Sequence, residues 1–207
     1  MNPVLLVVAG PNGAGKTTVT VRLREEHWSE GVEYLNADDV ARDRFGDWNS
    51  PQAVLEAARW TDARREDLFK AGKGIAFETV FSSPAKVTFL ERAKANGYFI
   101  RVFFIGTSDP RINAARVAGR VMAGGHTVPI EKIVARYGRS LANLPAAIGI
   151  ADRVYVYDNS EEGADARLCL RTQDGAIRKV YGELPDWVEA ATRGATAHAE
   201  FVDLRRR

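Results

Sequence analysis

Val4-Leu5-Leu6-Val7-Val8-Ala9 runs straight into Gly10-Pro11-Asn12-Gly13-Ala14-Gly15-Lys16-Thr17-Thr18. The apolar run reads as a buried strand, and the residues from Gly10 fit G-x-x-x-x-G-K-[ST] in the context that gives the pattern weight, a strand before it and a helix after it. Glycines let the backbone curl without Cβ clashes, so successive N–H groups point inward at phosphate oxygens. A helix beginning at about Gly15 adds the partial positive charge of its N-terminus at the same place. Lys16 then reaches the β- and γ-phosphates, and the Thr17 hydroxyl ligates Mg²⁺. The alternative, a glycine-rich turn that happens to contain Lys-Thr, does not account for strand and helix both being in register. The stretch predicts a nucleoside-triphosphate site built from Gly10, Asn12, Gly13, Ala14, Gly15, Lys16, Thr17 and Thr18, with Thr17 on the metal.

Working outward, residues 18–28 read as a helix with Val19, Val21 and Leu23 as its apolar positions. Glu33-Tyr34-Leu35 is a short strand that stops at Asn36-Ala37-Asp38-Asp39. Ser50-Pro51 is an N-cap followed by proline at the first helical position, opening a helix that reaches Lys70 and ends near Gly72 and Gly74. Ile75-Ala76-Phe77-Glu78 is the next strand, followed by a Thr/Ser-rich loop and a helix over about residues 84–95, broken by Gly97. Residues 98–105 are too apolar for a half-exposed edge strand. Two helices, about 109–122 and 129–142, are separated by Gly124-Gly125. Asn143-Leu144-Pro145 breaks the second, residues 146–151 form a further turn, and Val154-Tyr155-Val156-Tyr157 is the fifth strand. This alternation predicts an α/β three-layer sandwich around a five-stranded parallel sheet, with ligands beyond the carboxyl ends of the strands. After Asp158 the pattern changes. Leu168-Cys169-Leu170-Arg171 and residues 176–181 flank Thr172-Gln173-Asp174-Gly175, a turn signal for an antiparallel hairpin, and an amphipathic helix over about 185–192 closes the chain. The expected division is a catalytic domain over 1–160 and a hairpin-and-helix appendage over 161–207.

The 207 residues carry a net charge of +2, so no basic field argues for nucleic acid and no polybasic helix for membrane. Arg205-Arg206-Arg207 reads as a frayed, solvated tail. Cys169 is the only cysteine, which excludes internal disulfides and cysteine metal sites and suits a reducing cytosol. The first strand begins at Val4 and leaves no room for a charged leader. The expectation is a soluble, cytoplasmic protein.

Three predicted strands end in acids. The second delivers Asp38 and Asp39, either of which can accept the proton of an attacking hydroxyl or hold Mg²⁺. One of them instead caps the following helix, expected to start at about Val40; helix geometry favours Asp39 as the cap and leaves Asp38 for chemistry. The third strand ends Phe77-Glu78-Thr79, where Glu78 is either a Mg²⁺-side carboxylate, a substrate ligand with Thr79, or an acid bonded to loop N–H groups. At Tyr157-Asp158-Asn159-Ser160 a turn made by Asp and Asn is the stronger reading, and a nucleotide contact the second. Residues 108–140 have the character of a lid, carrying Arg111, Arg116, Arg120, Lys132, Arg136 and Arg139 against Asp109 and Glu131. Arg116 and Arg120 are four apart and share a helix face, as Arg136 and Arg139 share another. A cationic flap over a triphosphate supplies charge that phosphoryl transfer needs, and an arginine in that role contributes ~10³–10⁵ in rate. Arg111 and Lys132 fit a solvated surface instead. Gly124-Gly125-His126 reads as a hinge, its histidine either structural or a phosphate donor.

Gly-Pro-Asn-Gly-Ala-Gly-Lys-Thr-Thr, Asn-Ala-Asp, Phe-Glu-Thr, Gly-Gly-His-x-Val-Pro, Arg-Tyr-x-Arg-Ser and Tyr-Asp-Asn-Ser, taken in order, resemble the zeta-toxin family of kinases, and more closely its short chromosomal branch. The resemblance runs from Val4 to about Ser160. It implies a P-loop kinase fold and ATP/Mg²⁺-dependent phosphorylation of a hydroxyl on a nucleotide sugar, UDP-N-acetylglucosamine, with an antitoxin that occludes the nucleotide site. By position, Lys16 matches the phosphate-loop lysine, Asp38 the catalytic base, and Glu78 the essential glutamate of the substrate loop, with Thr79 beside it. Arg116 or Arg120 matches the first lid arginine. The second is replaced by the Gly-Gly-His segment, with Arg136 standing in as a nucleotide ligand, and the loop after Glu78 departs from the Glu-Gly-Thr pattern of typical toxins.

The mechanism these positions imply sets Lys16 and Mg²⁺ on the β/γ-phosphates, lid arginines over the γ-phosphate, and Asp38 on the acceptor hydroxyl. Two rivals remain at this level: a small-molecule kinase with another acceptor, of the antibiotic-phosphotransferase kind, and a nucleotide-gated protein-interaction module.

Overall fold

Both faces of β1 (Val4–Ala9) are buried, which is why it is apolar throughout and sits inside the sheet. Leu5, Val7 and Ala9 look into one apolar cluster, and Leu6 and Val8 into a second on the opposite face. The computed structural model describes residues 2–24, 31–45, 50–122 and 128–202. β1 is followed by the phosphate loop and α1 (Lys16–Arg24), then β2 (Val32–Leu35), α2 (Ala37–Phe45), α3 (Pro51–Lys70), β3 (Gly74–Thr79), α4 (Pro84–Ala95) and β4 (Phe99–Gly106). The lid helices α5 (Pro110–Met122) and α6 (Ile130–Ala142) come next, then α7 (Leu144–Ile150), β5 (Arg153–Asp158), β6 (Arg167–Gln173), β7 (Ala176–Tyr181), α8 (Asp186–Thr192) and β8 (Thr196–Val202).

Among the described residues the strands form one sheet of eight, in the order β2-β3-β1-β4-β5-β6-β7-β8. The first five are mutually parallel, with β1 flanked by β3 and β4. β6 joins β5 antiparallel, β7 joins β6 antiparallel, and β8 closes the edge parallel to β7. One face is covered by side chains of α3, α4, α7 and α8, among them Leu68, Phe89, Leu90, Leu144, Ile148, Trp187 and Val188. On the other, Ala14 of the phosphate loop with Val19 and Leu23 of α1 meets Leu6, Val8, Phe103 and Ile105. No helix of the described residues is long and apolar enough to cross a membrane.

The parallel strands thus lie within a larger mixed sheet, and the hairpin continues that sheet. Its turn is shorter than the four-residue signal. Thr172 and Gln173 remain in β6, and Asp174 (φ 50°) with Gly175 (φ 79°) makes the two-residue connection that matches the twist of the flanking strands. The chain does not finish on the predicted helix, because β8 follows α8. Residues 146–151, read as a turn, belong largely to α7, a short helix entered through Pro145. Of the helix expected over 18–28, α1 reaches Arg24 and the remainder lies outside the described residues, as does Gly124-Gly125-His126. The predicted Ser50 cap is present, its hydroxyl accepting from the Ala53 amide at 3.4 Å.

Candidate active site

The phosphate loop takes its shape from neighbours distant in sequence. Gly13 has φ +74°, and a Cβ there would lie 2.5 Å from the Asn113 carbonyl oxygen on α5. At Gly15 (φ +91°) a Cβ would meet the Asn159 side-chain nitrogen at 2.4 Å. These asparagines are also the clamps of the loop. Asn113 Nδ2 donates to the Asn12 carbonyl at 2.6 Å, and Asn159 Nδ2 to the Ala14 carbonyl at 2.8 Å. Asn113 is fully buried and its Oδ1 accepts from the Thr107 hydroxyl, while Tyr137 of α6 donates to the Thr107 carbonyl at 2.6 Å. Both lid helices are therefore tied to the end of β4, and one of them to the loop itself. The Gly10 amide donates to the Thr79 carbonyl at 3.2 Å, joining the ends of β1 and β3.

A cleft of about 700 Å³ opens above this loop at the carboxyl edge of the strands. It is lined by Asn12, Gly13, Gly15, Lys16, Thr17 and Thr18 together with Asn36, Asp38, Glu78, Thr79, Arg116 and Arg120. Gly10 and Ala14 of the same loop are buried and lie off the cleft lining, Ala14 fully so. A second cavity of about 350 Å³ shares Thr18 and Arg116 with the cleft and is bounded by Val19, Leu23, Tyr157, Asn159, Ala164 and Ala166, with Arg22 and Asp165 paired at 2.5 Å along its wall.

Lys16 keeps part of its surface on the cleft but is otherwise encircled by protein, and its ammonium donates to the Pro11 carbonyl at 3.0 Å. Desolvation pushes its pKa down to about 8, against the pull of Glu78 and Asp38 and with the push of Arg120. Among the described residues Glu78 is held by side chains and not by loop N–H groups: the Tyr34 hydroxyl donates to Oε1 at 2.9 Å and the Thr17 hydroxyl to Oε2 at 3.2 Å. Burial first, and then the Glu78 charge, holds the Tyr34 phenol well above its usual range, so it remains a donor. Asn36 Nδ2 in turn donates to the Tyr34 oxygen at 3.1 Å.

The expectation that Asp39 caps α2 is corrected. Asn36 is the cap, its Oδ1 accepting from the Asp38 amide at 2.9 Å, and the helix starts at Ala37, so both acids sit in its first turn. β2 ends at Leu35, three residues before the first acid, and Asn36, the first polar side chain after it, takes the amide. Asp39 turns to Arg42, 2.9 Å away, while Asp38 faces the cleft.

The two lid arginines on one face of α5 occupy different settings. Arg116 donates to the Asn159 carbonyl at 2.8 Å and the Glu161 carbonyl at 3.2 Å, and Arg120 is exposed on the cleft wall close enough to Lys16 to oppose its charge. Arg136 lies on α6 outside the residues that line the cleft, and Arg139 donates to the Ser82 carbonyl at 3.2 Å. Arg111 pairs with Asp109 at the surface, as its composition-level reading expects. Tyr34 and Asn113 escaped the sequence reading. Asn113 has a trace there, a polar residue four positions from buried Val117 on the apolar stripe of a helix.

A phosphate loop at the head of a helix, with acids from two neighbouring strand ends and lid arginines turned to the same cleft, marks a P-loop kinase. The zeta toxin family model matches residues 1–166, and the chain belongs to that family. A Haemophilus influenzae protein described as uncharacterized is 27% identical over 128 residues, 62% of this chain and 88% of the relative. Among solved structures, the AvrRxo1-ORF1:AvrRxo1-ORF2 complex with sulphate ions superposes with a TM-score of 0.67 at 16% identity, covering 92% of this chain. The chain spans 64% of that structure's length. The PezAT chromosomal toxin-antitoxin system of Streptococcus pneumoniae gives 0.56 at 15% identity, over 76% of this chain and 69% of that one. At such identities the likeness to both concerns the fold.

Proposed function

We propose that the protein is an ATP/Mg²⁺-dependent phosphotransferase of zeta-toxin type, acting in the cytoplasm on a hydroxyl of a nucleotide sugar, with UDP-N-acetylglucosamine the first acceptor to test. The observation that carries this reading is the convergence of Lys16, Thr17, Asp38, Glu78 and Arg120 on one cleft of about 700 Å³. Bound nucleotide would set its phosphates along the loop by Lys16 and its base past Thr18 and Arg116 toward the second cavity, which shares those two residues with the cleft. The paired Thr17 hydroxyl and Glu78 carboxylate are hard oxygen donors suited to Mg²⁺. Mg²⁺, when bound with the nucleotide, offsets phosphate charge as the γ-phosphoryl group transfers.

Asp38 faces the acceptor end of the cleft and takes the proton of the attacking hydroxyl, with Glu78 and Thr79 on the same side. Arg120 meets the charge that develops on the phosphoryl oxygens, Arg116 behind it supports nucleotide binding from the 158–161 loop, and Arg136 reaches the nucleotide on closure of the flap. The transition state is loose, so positioning and electrostatics matter more than the strength of the base. A toxin role with an antitoxin partner is supported by family membership and by fold neighbours solved as complexes.

The test is incubation with Mg²⁺-ATP and UDP-N-acetylglucosamine, read by mass spectrometry for a phosphate added to the sugar nucleotide. Asp38→Asn is expected to fold normally and lose ~10²–10⁴ in rate. Turnover near that of the parent removes Asp38 from the mechanism, and an untouched sugar nucleotide with ATP still bound removes the acceptor.

A further inference from the structure

Beyond the segment matched by the family model, one residue reaches back to the nucleotide site. Trp187 on α8 is buried, with 7% of its surface exposed, and its ring lies flat against Gly106 at the end of β4. A Cβ at Gly106 would stand 2.4 Å from the indole Cη2, so the glycine is the ring's seat. A buried indole N–H is a donor that must find an acceptor. Here Nε1 donates to Asp158 Oδ1 at 2.8 Å, a charge-assisted bond to the last residue of β5.

Asp158 begins the loop that holds the site together. The same Oδ1 accepts from the Ser160 hydroxyl at 2.5 Å, and the Ser160 oxygen accepts from the Ser108 amide at 2.8 Å, at the entry to the lid. Between them, Asn159 donates from its backbone to the Gly106 carbonyl at 2.9 Å and from its side chain to the Ala14 carbonyl of the phosphate loop. The Asn159 carbonyl accepts from Arg116. Four consecutive residues thus fasten the phosphate loop, a lid arginine and the lid's first turn, and Trp187 fastens those four residues.

We propose that Trp187 is a positioning residue for nucleotide binding: through Asp158 it sets the 158–161 loop, and thereby the phosphate loop and Arg116, so that the C-terminal extension tunes ATP affinity. The proposal rests on the kinase reading above, and the experiment separates the two. The full-length chain is titrated calorimetrically with Mg²⁺-ATP and Mg²⁺-ADP, and each variant is also melted. Trp187→Phe keeps a ring on Gly106 and removes only the N–H. Its Kd for both nucleotides is expected to rise about tenfold, equivalent to ~1.4 kcal/mol, with kcat at saturating ATP within about twofold of the parent. Asp158→Ala, which also takes the acceptor from the Ser160 hydroxyl, should lose at least as much affinity, Asp158→Asn should keep near-parental affinity because its amide oxygen still accepts from the indole, and the double variant Trp187→Phe/Asp158→Ala should be no weaker than Asp158→Ala alone. A lowered Tm with unchanged Kd in Trp187→Phe, or additive losses in the double variant, overturns the proposal and leaves Trp187 a packing residue. A parent protein that binds neither nucleotide overturns the kinase reading itself.

Discussion

Lys16 is pulled in two directions, and its pKa of about 8 has two consequences of opposite sign. Between about 8 and its ordinary 10.5 the unfolded chain holds more protons than the folded one, so this group's contribution to stability increases as pH rises through that window. Nucleotide affinity runs the other way. Triphosphate favours the ammonium, so above pH about 8 binding must take up a proton, and Kd for ATP is expected to rise about tenfold per pH unit. Calorimetry from pH 7 upward reads this directly, and Lys16→Arg, which stays charged, should flatten the slope even where it binds less tightly. At this scale the lysine, Thr17, Asp38 and Glu78 were all legible as candidates. Their partners were not. Tyr34 and Glu78 are 44 residues apart, and only the parallel pairing of β2 with β3 sets their side chains within bonding distance.

Among the elements, α5 works as two halves. Its first turns are anchored by Asn113 to the phosphate loop and by Arg116 to the 158–161 loop, while Arg120 stands exposed on the cleft wall. The two arginines therefore have separable expected effects. Arg120→Ala should lower kcat by ~10³-fold with little change in ATP affinity, the signature of charge met only in the transition state. Arg116→Ala should weaken nucleotide binding and lower Tm, because the Asn159 and Glu161 carbonyls lose their shared donor. Steady-state kinetics with ATP titration and melting separates them, and equal losses in kcat from both would remove the division. The helix periodicity showed that these side chains share a face; it carried no sign that one of them would be tied to carbonyls 43 and 45 residues downstream.

For the molecule as a whole, a boundary at residue 160 expects an independently folding first unit, and the continuous sheet expects otherwise. β6 hydrogen-bonds along the whole of β5, and Cys169, Leu170, Trp187 and Val188 belong to the main apolar cluster. A chain ending at residue 160 leaves β5 as an apolar open edge and is expected to aggregate or lack a cooperative melt, read by circular dichroism and size-exclusion chromatography. A soluble, cooperatively melting fragment would restore the appendage reading. What the sequence determined alone is whatever a few adjacent residues encode: the buried run of β1, the glycine-bearing phosphate loop, the Ser50-Pro51 start of α3, the presence of a hairpin turn ending in Asp174-Gly175, and the alternation of strands and helices as far as β5. Tertiary structure decided what depends on contact between distant segments. It made Asn36 the cap instead of Asp39, clamped the phosphate loop with Asn113 and Asn159, added β8 to the sheet edge, and brought Trp187 to Asp158. The reason is physical: φ preferences, caps and hydrophobic period act within a turn or two, whereas a hydrogen bond between residues 101 or 145 positions apart exists only after the sheet has brought their strands and helices together.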